Sequence, residues 1–366
     1  MIMVLAAAVQ LEAVLGDVSA NLAACERLAD EAGRAGAEII ALPEFFTTGI
    51  GFDESLATAA LPPDGAATEL LTALARRHRA LVGGSFLCRD PDGHVRNAYL
   101  LAGPPGGSAR LDEGEPKLGP PHQHRGSARL DEGEPKLGPP HEHSGSARLD
   151  EGEPKLGPPH EPGVVGRHDK DLPTMWENAF YTTGDDDGVL ATAGHTVGAA
   201  VCWELMRTQT VRRLRGRVDL MMTGSGWWSI PRWVPHRLFD RLERNNAGTA
   251  RRAAASFAQY VGAPMVHAAH AGTLTCAMPW LPLTYRGHFE GATLIAGADG
   301  TVVAERRADE GEGIVLGEIT LGRQPPRLDP PAGFWLHRRG TLPTAVWHYQ
   351  RWHGRRWYRH YVVQAT

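Results

Sequence analysis

The chain has 366 residues, 42% hydrophobic and 22% charged, enough for one large domain or two smaller ones around a substantial core. Its net charge of -4 gives no electrostatic reason to expect nucleic acid as a partner. No stretch is long and apolar enough to span a bilayer, and the four cysteines (Cys25, Cys88, Cys202, Cys276) lack the paired spacing of a disulfide framework or a zinc module.

The N-terminal MIMVLAAAVQL has no basic n-region and reads as a buried strand over Val4–Gln10, not a signal peptide, so a cytoplasmic protein is expected. A helix follows to about Ala35, capped by Asp17 or Ser19, with Leu22, Leu28 and Ala32 on its apolar side. A strand over Glu38–Leu42 leads into Pro43-Glu44. A helix over Ala66–His78 carries Leu70, Leu71 and Leu74, and strands are expected at Leu81–Phe86 and Ala98–Leu101. Three near-identical 19-residue copies of a GSARLDEGEPKLGPPH sequence then fill residues 107–163. Gly, Pro and charge dominate them, so an exposed loop insertion is expected and not a solenoid. Their His122/His124 and His141/His143 pairs lack companion ligands, and a solvated loop is the reading preferred over a metal site.

Beyond the repeats, strands are expected at Thr196–Cys202, Val218–Thr223, Pro264–Ala268, Ala292–Ala296 and Gly313–Ile319, with a long helix from Pro235 to about Tyr260. Apolar strands separated by helices indicate a layered α/β architecture. From Phe334, Trp335, Trp347, Tyr349, Trp352, Trp357, Tyr358 and Tyr361 alternate with Arg338, Arg339, Arg351, Arg355, Arg356 and Arg359. Such a surface either stacks bases or packs in an interface. With no nucleic-acid module in the chain, packing on its own domain or on a partner subunit is expected. The division is thus a domain over 1–325, interrupted by the repeats, and an extension over 326–366.

Four polar residues stand where strands end or loops begin. Glu44 is carried out of the sheet between Pro43 and two phenylalanines; apolar surroundings raise a carboxyl pKa, which suits a general base, although a plain surface glutamate also fits. Lys170, in RHDKDLPTMWE, either offers a fixed positive charge to a developing oxyanion or is a solvated lysine, and Glu177 either anchors it or positions a water. Cys202 closes the apolar run VGAAV and opens into Trp203-Glu204, the start of an expected helix. A thiol at a positive helix end beside a cation is held as thiolate by a lowered pKa. Trp227 and Trp228 either wall a pocket or pack on the sheet edge, and in an extended loop only one of them faces inward.

Glu44 in ALPEFFTTG, Lys170 in HDKDLPTMWE and Cys202 in VGAAVCWELMR resemble, in order and surroundings, the Glu-Lys-Cys triad of the nitrilase superfamily of carbon-nitrogen hydrolases. AAAVQL, NAYL at Asn97 and GATLIAGADGTVVAE at Gly291 agree with it, so the resemblance spans roughly residues 4 to 320 apart from the repeats. It implies a four-layer α-β-β-α sandwich, homo-oligomers pairing through an outer helical layer with a helix ending near Arg215 as a contact, and neither metal nor organic cofactor. It also implies covalent catalysis by Cys202, with Glu44 as base, Lys170 and a backbone N–H near Trp203 holding the anionic intermediate, and Glu177 orienting Lys170 and the substrate. Cys-Trp-Glu and the Lys-x-x-Pro-Thr-x-x-Glu spacing are similar to true nitrilases, making a small nitrile the expected substrate, with Trp203, Trp227 and Trp228 at its pocket. Asp171 and the proline-free Leu205–Thr208 depart from that branch, which keeps an amidase or N-carbamoyl amide hydrolase as the alternative. A non-catalytic scaffold using the repeats and tail is the alternative of another class.

Overall fold

The computed structural model describes residues 2–104, 163–279, 281–337 and 341–363; the repeats with their histidine pairs, and Arg338 and Arg339, lie outside the described residues. Twelve strands form a continuous sheet folded into two leaves of six. The first leaf runs β5 (Val164–Asp169), β4 (Val95–Ala102), β3 (Leu81–Arg89), β2 (Ile39–Ala41), β1 (Met3–Leu11) and β14 (Gly313–Thr320). The second runs β6 (Val189–Ala191), β7 (Thr196–Val201), β8 (Leu220–Ser225), β9 (Met265–His270), β12 (Gly291–Ala296) and β13 (Val302–Arg307). The leaves are stitched where Gln10 and Leu11 of β1 pair with Ala269 and His270 of β9.

Side-chain alternation along each strand assigns the layers. Ala6 and Ala8 of β1, Ile39 and Ala41 of β2, Val197 and Ala199 of β7 and Val266 and Ala268 of β9 meet in one buried cluster between the leaves. The intervening Ala7, Val9 and Ile40 pack outward under helices α1 (Val18–Arg34) and α2 (Ala66–His78), beside Cys25, Leu28 and Leu74. On the far side Ala200, Met221 and Met265 face α3 (Thr208–Leu214) and α4 (His236–Val261) through Val211, Leu214 and Phe257. The order α-β-β-α is therefore that of a four-layer sandwich. Continuous apolar runs such as LAAAV follow from this placement, because each strand is covered on both faces.

Asp17, not Ser19, caps α1: its side chain accepts the Ala20 N–H. Gly262, with φ +80, ends α4 in the left-handed conformation that a helix stop favours. The nine predicted strands and three predicted helices are present with ends displaced by a few residues. Strands β5, β6 and β13 and the hairpin of β10 (Thr273–Met278) with β11 (Leu281–His288) lie outside the expected elements, whereas α3 ends beside Arg215, where a helix end is expected. The C-terminal helix α5 (Thr341–Tyr361) lies outside the expected elements too. That helix packs back on its own chain: Gly354 lies so near Asn178 and Ala179 that an added Cβ would stand 2.6 Å from the Asn178 side chain. The Tyr358 hydroxyl accepts the Val95 N–H at 3.0 Å. No helix among the described residues is long and apolar enough to cross a membrane.

Candidate active site

Three of the four polar candidates stand just past the C-terminal end of a strand. Glu44 follows β2, Lys170 follows β5 and Cys202 follows β7, while Glu177 lies in a 3-10 turn over Met175–Ala179. All four are buried, with Glu44, Lys170 and Glu177 fully inaccessible. The Lys170 ammonium donates to Glu44 Oε1 at 2.8 Å and to Glu177 Oε2 at 2.7 Å. The Cys202 thiol and one oxygen of each carboxylate lie within 4.8 Å of one another. These three side chains offer a metal-like donor set, but the Lys170 ammonium already bridges its two carboxylates and supplies the cation.

The surroundings fix the carboxylates. Asn97 Nδ2 donates to Glu44 Oε1 and the Gly226 N–H to Glu44 Oε2, both at 2.9 Å; the His270 ring donates to the Glu44 carbonyl. At Gly224 any side chain would strike the Glu44 backbone, 2.5 Å from its nitrogen, so only glycine lets β8 approach Glu44. Glu177 Oε2 also accepts the Thr174 N–H at 2.9 Å and the Tyr181 hydroxyl. Its other oxygen, Oε1, is buried without a hydrogen-bond partner among the described residues. The sequence reading used Asn97 only as a framing motif and passed over Gly226, His270, Thr174 and Tyr181. Only the NAYL and GSG strings offered a local signal for any of them.

Strain gathers at this point of the molecule. Of the five non-glycine residues with positive φ among the described residues, three are Cys202 (φ 51), Phe45 beside Glu44 (φ 52) and Met175 near Glu177 (φ 48). Such backbone costs on the order of 1–3 kcal/mol per residue and persists where packing over-determines it. At Cys202 it turns the chain sharply from β7 into a single 3-10 turn, Cys202–Met206. The helix expected from Trp203 is interrupted by extended backbone at Arg207 (φ -112, ψ 136) and resumes as α3.

The electrostatics correct one expectation. Burial, reinforced by Glu44 and Glu177, pushes the Cys202 thiol well above the usual range, and the opposing pull of Lys170 does not overcome it. The resting group is the thiol, because desolvation and two carboxylates outweigh one shared cation. Burial also raises Glu44, with Glu177 adding to it and Lys170 opposing, to about 7. For Lys170, burial works against the charge, but Glu177 and Glu44 hold the ammonium well above the ordinary lysine range. A protonated thiol, a base poised near neutrality and a permanent cation thus meet in one buried cluster.

A second buried network ties two of these supports together. His168, on β5 two residues before Lys170, hydrogen bonds through Nδ1 to Asp186 and through Nε2 to Glu204 at 2.9 Å. Burial opposes the imidazolium, but Glu204 and Asp186 push its pKa up to about 10. Glu204, two residues after Cys202, also accepts the Val201 N–H at 2.8 Å and the Arg213 guanidinium at 3.3 Å. Asp171 pairs with Arg207 and, at 3.3 Å, with Arg213. The two departures from the nitrilase pattern, Asp171 and the Leu205–Thr208 segment, are therefore ion-pair partners.

The adjacent tryptophans point to different clusters. Trp227 packs with Trp203 (ring centroids 6.0 Å apart) in the cluster containing Cys202, and its Nε1 donates to Asn246 at 2.9 Å. Trp228 stacks on Trp176 at 4.4 Å in the neighbouring cluster. A further group of possible metal donors, Glu243, His288 and Glu290, lies beneath this loop, where burial and Glu243 raise Glu290 to about 8.

Residues 5–109 match the family model described as carbon-nitrogen hydrolase. No curated protein sequence matches the chain. Among solved structures, XC1258 from Xanthomonas campestris, a CN-hydrolase superfamily protein, aligns with TM-score 0.57 at 16% identity over 87% of this chain and 91% of its own. A mutant amidase from Nesterenkonia sp. AN1, carrying acrylamide added at its active-site cysteine, aligns with TM-score 0.54 at 16% identity over 86% and 92%. Saccharomyces cerevisiae Nit3, of branch 10 of the nitrilase superfamily, aligns with TM-score 0.52 at 15% identity over 87% and 90%. Residues 5–109 are thus similar to the carbon-nitrogen hydrolase family, and the chain shares the fold of these solved structures.

Proposed function

We propose that the chain hydrolyses a small nitrile to a carboxylic acid and ammonia through a covalent intermediate on Cys202. The observation that carries this reading is the Lys170 ammonium bridging Glu44 and Glu177, with the Cys202 thiol beside both carboxylates. Glu44 takes the thiol proton as sulfur attacks the nitrile carbon, and the proton passes to the nitrile nitrogen, leaving a thioimidate. Lys170 stabilises the charge that gathers during attack. Water activated by Glu44 adds to the thioimidate and ammonia leaves, giving a thioester that a second water converts to acid and free thiol. Glu177 holds Lys170 through Oε2, and its unpartnered Oε1 is available to a substrate N–H. An amide or N-carbamoyl amide enters the same sequence at the tetrahedral stage. That second reading is favoured by Asp171 and by the amidase among the structural neighbours. Trp233, Val234 and Leu238, exposed at the start of α4, support pairing of copies through the outer helical layer.

Intact-mass analysis with a panel of nitriles and matching amides tests the reading. A substrate-sized adduct is expected on the protein and absent from Cys202→Ala, together with ammonia release. An active Cys202→Ala variant sinks the covalent mechanism, and turnover of amides alone moves the assignment to an amidase.

The pH profile is a second check. Glu44 must be unprotonated to accept the thiol proton, so kcat/KM should rise as pH climbs through about 7. The apparent value belongs to the coupled cluster. A rate that stays level across this interval removes Glu44 from the role of base.

A further inference from the structure

The aromatic and basic C-terminal stretch is the sequence motif that chemistry at Cys202 leaves unused. The structure brings it beside the nucleophile. Trp335 stands edge-on to Trp203, the residue after Cys202, at 5.9 Å and 89°, and edge-on to Trp347 of α5 at 5.6 Å and 75°. Trp347 belongs to the same buried cluster as Cys202 and Trp203. Between them opens a hollow of about 330 Å³ lined by Leu172, Phe334, Trp335, Trp347, His348 and Arg351, among others. Leu172 lies two residues beyond Lys170 in the chain, and Trp335 contacts Trp203, the residue after Cys202.

Its walls are flat and apolar, and they carry one guanidinium. Arg351 lies over the Trp347 ring at 5.7 Å. No carboxylate pairs with it among the described residues, whereas most other buried or half-buried arginines here, including Arg96, Arg167, Arg207 and Arg213, are paired. Burial and neighbouring Arg355 both press its pKa down, the effect expected of a cation facing no anion. A planar guanidinium at the edge of an aromatic box suits a planar, aromatic ligand ending in a carboxylate: the rings stack on the indoles and the carboxylate takes a bidentate pair.

We infer that this hollow binds the end of the substrate remote from the scissile carbon-nitrogen bond, and that Arg351 selects substrates carrying a carboxylate on a flat aromatic body. The inference rests on the reading of Cys202 as nucleophile, and its test separates the two. Calorimetric titration of Cys202→Ala protein compares 4-cyanobenzoate with benzonitrile, ligands of one shape differing in charge. The carboxylated ligand should bind about tenfold tighter or more, the scale of a charge-assisted hydrogen bond at a half-wet site. Adding Arg351→Gln should erase that preference while leaving benzonitrile affinity unchanged, which also reports an intact fold; Arg351→Lys should keep part of it. In the active protein Arg351→Gln should raise KM for 4-cyanobenzoate with little change in kcat. Equal binding of the two ligands, binding of neither, or a preference that survives Arg351→Gln overturns the inference. A protein that binds 4-cyanobenzoate through Arg351 but forms no adduct on Cys202 with either ligand fails the nucleophile reading and leaves the subsite standing.

Discussion

Replacing Lys170 by methionine should cost both activity and stability, more than any other single change at the cluster. The ammonium is the charge compensation that Glu44 and Glu177 share in a fully buried site. Breaking a buried pair by removing one partner costs about 3–5 kcal/mol, because a carboxylate is left desolvated and uncompensated. Methionine keeps the stem and its packing, so the loss reports charge and not a cavity. The pH dependence identifies the cause. Without Lys170 the Glu44 pKa in the folded state rises further above its unfolded value, so folding is penalised progressively as pH rises from that unfolded value. The gap between Lys170→Met and wild type should therefore be widest at neutral and alkaline pH and narrow toward about pH 4.5, the ordinary glutamate value. Chemical denaturation across that span measures it. A gap that is constant with pH rejects the electrostatic account and leaves a packing defect.

The second large effect is expected at Glu204, which touches no reacting atom and acts as a positioning residue. It joins the Cys202 turn to His168 on β5 and to Arg213 of α3. Glu204→Ala takes one of two anions from the His168 imidazolium and one of two from the Arg213 guanidinium, leaving Asp186 and Asp171, so the cost should approach but not exceed about 3–5 kcal/mol. Glu204→Gln keeps the shape and should be milder. Misplacing a catalytic group by about 1 Å costs on the order of 10²-fold in rate, so kcat should fall by about that factor with KM little changed. His168 supplies the distinguishing signature. Its folded pKa of about 10 exceeds the ordinary 6.5, so its contribution is complete below 6.5 and fades as pH rises through about 10. In Glu204→Gln this alkaline loss should be smaller and complete at a lower pH. Superimposable stability curves on the alkaline side would remove the charge from the argument.

What was legible in the sequence was whatever local pattern encodes. Runs such as VGAAV mark strands covered on both faces, and the residue that ends such a run stands at the mouth of the sheet, which located Glu44 and Cys202. Lys170 and Glu177 needed the nitrilase resemblance to join them. Asn97, Gly226 and Tyr181 were missed because their partners lie far away in sequence, and nothing local shows that a glycine N–H will meet a carboxylate. Helix α5 was hidden for another reason: Trp352, Tyr349 and Tyr361 are exposed while Trp347 and Tyr358 are buried, so aromatic residues on both faces blur the helical period. Strand β13 was missed because it exposes Val302 and Val303 among charged residues. The direction of the Cys202 shift was misjudged because helix end and cation are local features, whereas burial and converging carboxylates are properties of the assembled sandwich.

The two leaves contribute unlike parts of the cluster. Glu44 and Lys170 leave the sheet from β2 and β5 of the first leaf, whereas Cys202 and Gly226 follow β7 and β8 of the second. Glu44 and Cys202 are therefore neighbours only while the leaves are docked. The stitch at Gln10–Leu11 with Ala269–His270 ends at the histidine that holds the Glu44 carbonyl. A fragment of either leaf carries an incomplete set of these groups. The cluster is assembled only across both leaves, so an active molecule would by that fact be a correctly docked one.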